Sequence, residues 1–204
     1  MGGSFVTPDR FKELVISDTP LSVVMTHIFG GGTPWLFSSD NPDAPLCTYA
    51  EFRQTVAGEV GIAFSDVALV GSSVFGFSTS PREEKTLKPF NALSDLDLVI
   101  VSARLFREVW DEFLTAFYAG HSWVMRRHSE DVFRRFFVLT DGNYPATSTL
   151  LRGLNVRLDM MKRNIGLKTG INKTIKYRVY SEWADVHPYY ASGLAKLKQR
   201  WSNV

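Results

Sequence analysis

Asp95 and Asp97 flank Leu96 at the head of the most apolar run in the chain, Leu96 to Val101. If that run is a strand, residues two apart project to one side. Both carboxylates then share a face while Leu96 and Leu98 take the other. Two carboxylates this close repel one another unless a cation lies between them. A hard divalent ion suits such a pair, because magnesium keeps several waters and takes substrate phosphates as further ligands. Mg²⁺ or Mn²⁺ on Asp95 and Asp97 could bridge to the phosphates of a nucleotide. Gly71-Ser72-Ser73 supplies the complementary half, where a second apolar run, Val67 to Val70, breaks at glycine. A strand that turns at glycine into a helix presents backbone N–H groups to an anion. The hydroxyls of Ser72 and Ser73 can add to them, and Gly76 lets the next turn pack closely or approach a ligand.

These residues need elements to hold them. Val67–Val70 and Leu96–Val101 read as strands buried on both faces of a central sheet. Thr7-Pro8 opens a helix through Phe11, Leu14 and Val15, since Pro suits the first helical position. Pro20 interrupts it, and a second helical stretch through Val23, Val24 and Ile28 is expected. Residues 29–45 read as an ordered surface loop in which Trp35-Leu36-Phe37 must find a packing partner. Thr48 and Glu51 have capping-box spacing ahead of a helix through Phe52, Val56 and Val60. Ser102 caps a helix whose Leu105, Val109, Phe113 and Phe117 recur at helical spacing. Phe133, Phe136, Phe137 and Val138 fit either a helix end or a strand. Leu151, Leu154, Leu158, Met161 and Ile165 make another helical stripe, and 174–180 alternates as a strand. Ser181 is placed to cap a last helix through Trp183, Val186, Tyr190, Leu194, Leu197 and Trp201. The order predicts an α/β or α+β fold with a small mixed sheet flanked by helices. Residues 1–204 read as one domain, with a helical N-terminal extension to about residue 64 and the core from about residue 65.

The 204 residues include 45% hydrophobic and 22% charged side chains, enough to bury a core without covalent staples. Cys47 is the only cysteine, so no internal disulfide can form, which fits a reducing cytoplasm. A net charge of +2 is too small to argue for nucleic acid or a lipid surface. No apolar run reaches membrane-spanning length, and the first residues lack the pattern of a secretory signal. His27, His121, His128 and His187 lack zinc-ligand spacing. Gly71-Ser72-Ser73-Val74-Phe75 lacks the second glycine of a hydrolase elbow, and Gly166-Leu167-Lys168-Thr169 is not a phosphate-binding loop of the Gly-X4-Gly-Lys type.

An Asp-X-Asp or a Gly-Ser turn alone is commonplace; their order is more informative. Val70-Gly71-Ser72 followed by Asp95-Leu96-Asp97-Leu98 resembles the signature of the polymerase-β-type nucleotidyltransferase superfamily. More loosely the chain resembles small bacterial predicted nucleotidyltransferases, through His27-Ile28-Phe29, Thr33-Pro34, Tyr177-Arg178-Val179-Tyr180 and Trp183. The resemblance implies Mg²⁺-dependent transfer of a nucleoside monophosphate from an NTP, ATP in the first instance, with release of pyrophosphate. The acceptor could be a small molecule, an RNA end, another nucleotide or a protein side chain. Asp95 and Asp97 would be catalytic metal ligands, and Gly71, Ser72 and Ser73 would bind the nucleotide. The superfamily also draws a third carboxylate from a later strand. Asp159 and Glu182 are the candidates here, the first on a helical segment and the second at the start of the last helix. Without that acid the chain would be a degenerate fold that binds a nucleotide or a protein without turnover.

Three basic groupings complete the inventory. Lys173, Lys176 and Arg178 could face triphosphate oxygens, with Lys176 the nucleotide-binding candidate, or could guard a strand edge. Pro81 to Lys88 forms a charged stretch in a long loop, either a flap over a nucleotide or a solvated run. Arg126, Arg127, Arg134 and Arg135, with Trp123 and Phe133, could line a nucleic-acid groove or a solvated helix face.

Overall fold

The computed structural model describes residues 6–17, 32–139, 144 and 148–203. The two apolar runs are strands: Val67–Val70 (β1) and Leu96–Val101 (β2). Phe136–Phe137 (β3) and Ile175–Tyr180 (β4) complete a four-stranded sheet in the order β1-β2-β4-β3. β1 runs antiparallel to β2 and places Val70 opposite Asp97. β4 runs parallel to β2 and places Lys176 beside Asp97 and Arg178 beside Val99. β3 is antiparallel to β4. The class is α+β with a small mixed sheet.

Local sequence explains the helices. Thr7 accepts from the Arg10 amide at the start of Pro8–Ile16 (α1). Thr48 and Glu51 form a reciprocal capping box on Tyr49–Val60 (α2). Ser72–Phe75 (α3) is a single turn after Gly71. Ser102 caps Ala103–Tyr118 (α4), which buries Leu105, Val109, Phe113 and Ala116. Phe117, expected on that stripe, is largely exposed, because Ala116 completes the row at three residues from Phe113. Trp123–Phe133 (α5) ends before β3, so Phe133 closes a helix while Phe136 and Phe137 enter the sheet. Thr149–Thr169 (α6) buries the predicted Leu151 to Ile165 stripe. The last helix, Trp183–Ser202 (α7), is capped at Glu182 instead of Ser181. Glu182 is still in extended backbone, φ −147° and ψ 163°, so the chain turns helical one residue later than the hydroxyl suggests.

Phe11 and Val15 of α1 and Phe52, Val56 and Val60 of α2 belong to the same hydrophobic cluster as the strands. The N-terminal helices are therefore part of the core. Trp35-Leu36-Phe37 packs as a 3₁₀ turn, with Leu36 buried, Phe37 against Phe52 and Trp35 against Phe90. Gly76, at φ +79°, makes room for the Trp35 ring, which would lie 2.9 Å from an added Cβ. The glycine serves packing there, not a ligand. The expected stretch through Val23, Val24 and Ile28 lies outside the described residues, as does His27. Among the described residues no helix is long and apolar enough to cross a membrane.

His128 is 1% exposed, and its ring stacks on Phe113 at 4.5 Å. Neither ring nitrogen has a hydrogen-bond partner among the described residues. Burial, helped by Arg127, lowers its pKa from 6.5 to about 4. The unfolded chain therefore takes up a proton that the folded one refuses. Stability from this group is complete above pH 6.5 and declines as pH falls towards 4, by on the order of 3 kcal/mol. Urea midpoints between pH 7.5 and 4.5 should fall less steeply in His128→Phe than in the wild type; equal slopes would show that His128 titrates freely.

Candidate functional site

Gly71 sits at φ 71° and ψ −144°, a region essentially reserved for glycine. The turn brings its Cα face so near β2 that an added Cβ would meet Asp97 Oδ2 at 3.1 Å. The predicted turn and the predicted acid pair are thus neighbours, joined by the register of β1 on β2. They line a cleft of about 1100 Å³. Ser72, Asp95, Lys176 and Arg178 line it too.

Ser73 does not. It is fully buried, and its hydroxyl donates to the Val70 carbonyl at 3.1 Å. The hydroxyl predicted to hold phosphate instead closes the end of β1, because consecutive side chains on a helical turn project about 100° apart. α3 has only four residues, too few to build a substantial helix dipole. An anion in this cleft would meet mainly side-chain cations.

Those cations are plentiful. Among the described residues Arg82, Lys85, Lys88, Arg134, Arg135, Lys176, Arg178 and Lys196 line the cleft, against the carboxylates Asp95, Asp97 and Asp185. Lys176 donates to Asp95 Oδ2. Arg178 Nη1 stands 3.9 Å from Asp97 Oδ1. Parallel pairing makes this arrangement unavoidable, since residues two apart on β4 share the face presented by Asp95 and Asp97. Desolvation pushes the Asp97 pKa up, and Arg178 and Lys176 only partly oppose it, while Asp95 adds to the rise. The folded state therefore favours protonated Asp97, and this stability is lost as pH rises through its raised pKa. A cation delivered to Asp97 would relieve that cost.

The third-carboxylate candidates do not join the pair. Asp159 bonds Lys162 at 2.9 Å along α6, and Glu182 faces Arg135 at 3.8 Å. Neither lines the cleft. Among the described residues no group of three His, Cys, Asp or Glu side chains is placed to hold a metal ion. The strand beside β2 presents Lys176 and Arg178, not a carboxylate, on the face of the acid pair. Asp95 and Asp97 alone still suit Mg²⁺, which commonly takes one or two carboxylates and completes its shell with substrate phosphates and water.

Of the basic groupings, Lys173 leaves the strand and donates to the Asn91 carbonyl at 2.8 Å, whereas Lys176 and Arg178 stay in the site. The stretch from 78 to 94 is folded on itself through Ser78–Lys88 and Leu87–Ser78 backbone bonds. Arg200 of α7 ties it down through Thr86 and the Pro81 carbonyl. It forms one wall of the cleft, and Ser78, Thr79 and Ser80 add hydroxyls that no sequence motif announces. The arginine cluster divides: Phe133, Arg134 and Arg135 line the cleft, while Trp123 packs inward on Phe113 and Tyr144. Two further lining residues carry no sequence signal, Asp185 and Tyr189. The Tyr189 ring lies 4.7 Å from the Arg178 guanidinium.

Comparison of the chain with protein-family models, curated proteins and solved structures yields no match. Gly71→Ala forces a side chain into a glycine-only conformation and against Asp97, at a cost of about 1–3 kcal/mol. A urea titration should show that loss, and a midpoint equal to wild type would mean that the turn is not held as described.

Proposed function

We propose that the cleft binds a nucleoside triphosphate with Mg²⁺ or Mn²⁺ and transfers its nucleoside monophosphate to an acceptor. The observation that carries this reading is the contact between the Gly71 turn and Asp97 inside a cleft crowded with cations. Asp95 and Asp97 would hold the metal, which when bound neutralises phosphate charge and orients the reacting groups. Gly71, Ser72, Lys176 and Arg178 would hold the phosphates, with Lys85 and Arg82 from the facing wall. An acceptor oxygen then attacks the α-phosphorus, and the bond to the bridging oxygen breaks. Pyrophosphate leaves with the electron pair, while the acceptor's proton passes to water in the open cleft. ATP is the first donor to test. A small molecule, an RNA end or a protein side chain would each serve as acceptor, and a cytoplasmic setting belongs to the same reading.

One observation favours a second reading. β4 offers Lys176 and Arg178, not a carboxylate, beside the acid pair. A site that holds the triphosphate but lacks an acid to activate the acceptor would act as a nucleotide-binding module.

Pyrophosphate release and thermal shift, each measured with every NTP and with Mg²⁺ or Mn²⁺, separate the two. The transferase releases pyrophosphate, and Asp95→Ala with Asp97→Ala reduces release ~100-fold or more, the scale of losing charge stabilisation at a reacting phosphate. Release that survives the double change defeats the transferase reading. Stabilisation by metal and nucleotide without release leaves the binding module, and no stabilisation in any arm defeats both.

A further inference from the structure

The acid pair already has cations. Lys176 is bonded to Asp95, and Arg178 faces Asp97. Both come from the adjacent parallel strand, so the register fixes them there. A divalent ion entering between the two carboxylates would meet an ammonium and a guanidinium at close range, and like charges at that separation repel strongly in a partly desolvated cleft.

The two cations are held differently. The Arg178 side chain is only 25% exposed and lies against the Tyr189 ring at 4.7 Å and the Phe136 ring at 5.7 Å. Those ring faces stabilise its charge independently of Asp97. The Lys176 side chain is 57% exposed, and its flexible stem can swing the ammonium without disturbing the core.

We infer that Lys176 is an exchangeable counter-ion that holds Asp95 until a triphosphate and a divalent ion arrive together. The inference rests on the triphosphate reading above. When both arrive, the ammonium moves from the carboxylate to a phosphate oxygen, while Arg178 stays against Tyr189 as a fixed phosphate contact. Neither ligand alone completes the exchange. Metal without nucleotide has to displace Lys176 into water, and nucleotide without metal has to sit beside two carboxylates. The two ligands are therefore positively linked, and the linkage is reciprocal.

The test is Mn²⁺ binding followed by electron paramagnetic resonance of the free ion, with no turnover involved and with the Mn²⁺ taken up by the analogue alone subtracted using a protein-free titration. Wild-type protein should bind Mn²⁺ weakly alone and about 5- to 150-fold more tightly with a non-hydrolysable ATP analogue, the usual span of coupled sites. Lys176→Met should bind Mn²⁺ alone at least ~5-fold more tightly than wild type and gain less from the analogue than wild type does. Lys176→Arg should restore the wild-type pattern. A variant damaged in folding would lose metal affinity, so a gain cannot arise that way. Unchanged Mn²⁺ affinity in Lys176→Met overturns the inference. Analogue that binds wild type with Mn²⁺ but without linkage removes the exchange and leaves the triphosphate reading standing. Analogue that fails to bind under any condition removes both.

Discussion

Parallel pairing of β4 on β2 is the constraint on which the site depends. β2 is buried along almost its whole length, and its apolar residues admit charge only at its head, where Asp95 and Asp97 emerge. A neighbouring parallel strand must present its own alternate residues on the same face. Here these are Lys176 and Arg178. The sheet therefore brings two acids and two bases together at the edge of the core, where partial desolvation strengthens their interaction.

The turn on the other side of β2 follows the same logic. Antiparallel pairing of β1 sets Val70 opposite Asp97, so the next residue comes against that carboxylate. Only glycine tolerates both the close approach and the backbone angles. The loop from 78 to 94 and the start of α7 then wall the cleft, the first supplying cations and hydroxyls, the second Asp185 and Tyr189. Arg200 joins the two walls by bonding loop oxygens from α7. What results is a strongly cationic cleft around a small acidic centre, a charge pattern suited to a polyanion accompanied by a cation.

Charge compensation distinguishes the chemistry that this centre supports. Asp97 is costly to ionise where it lies, and its partners relieve only part of that cost. Phosphates in the cleft would draw Lys176 away and leave Asp95 short of a cation. A divalent ion then becomes the natural replacement. In the proposed exchange, metal and triphosphate would be each other's counter-ions, with Lys176 as the exchange partner.

The sequence by itself determined the elements that carry strong local signals. The apolar runs at 67–70 and 96–101, the caps at Thr7, Thr48 and Ser102, and the stripe from Leu151 to Ile165 all reflect short-range rules of burial and capping. It also determined that Asp95 and Asp97 share one face, because strand alternation is local. Tertiary structure decided the remainder. Ser73 turns into the core because about 100° of helical rotation separates its side chain from that of Ser72, and Ser181 yields the cap to Glu182 because the backbone is still extended there. Asp159 on α6 and Glu182 at the start of α7 lie outside the cleft, each beside a nearby base. No sequence rule announces that β4 pairs parallel with β2 at a register setting Lys176 beside Asp97, from where its ammonium reaches Asp95. That register is fixed by burial of Ile175, Tyr177 and Val179 against the core, a long-range condition that only the folded chain satisfies.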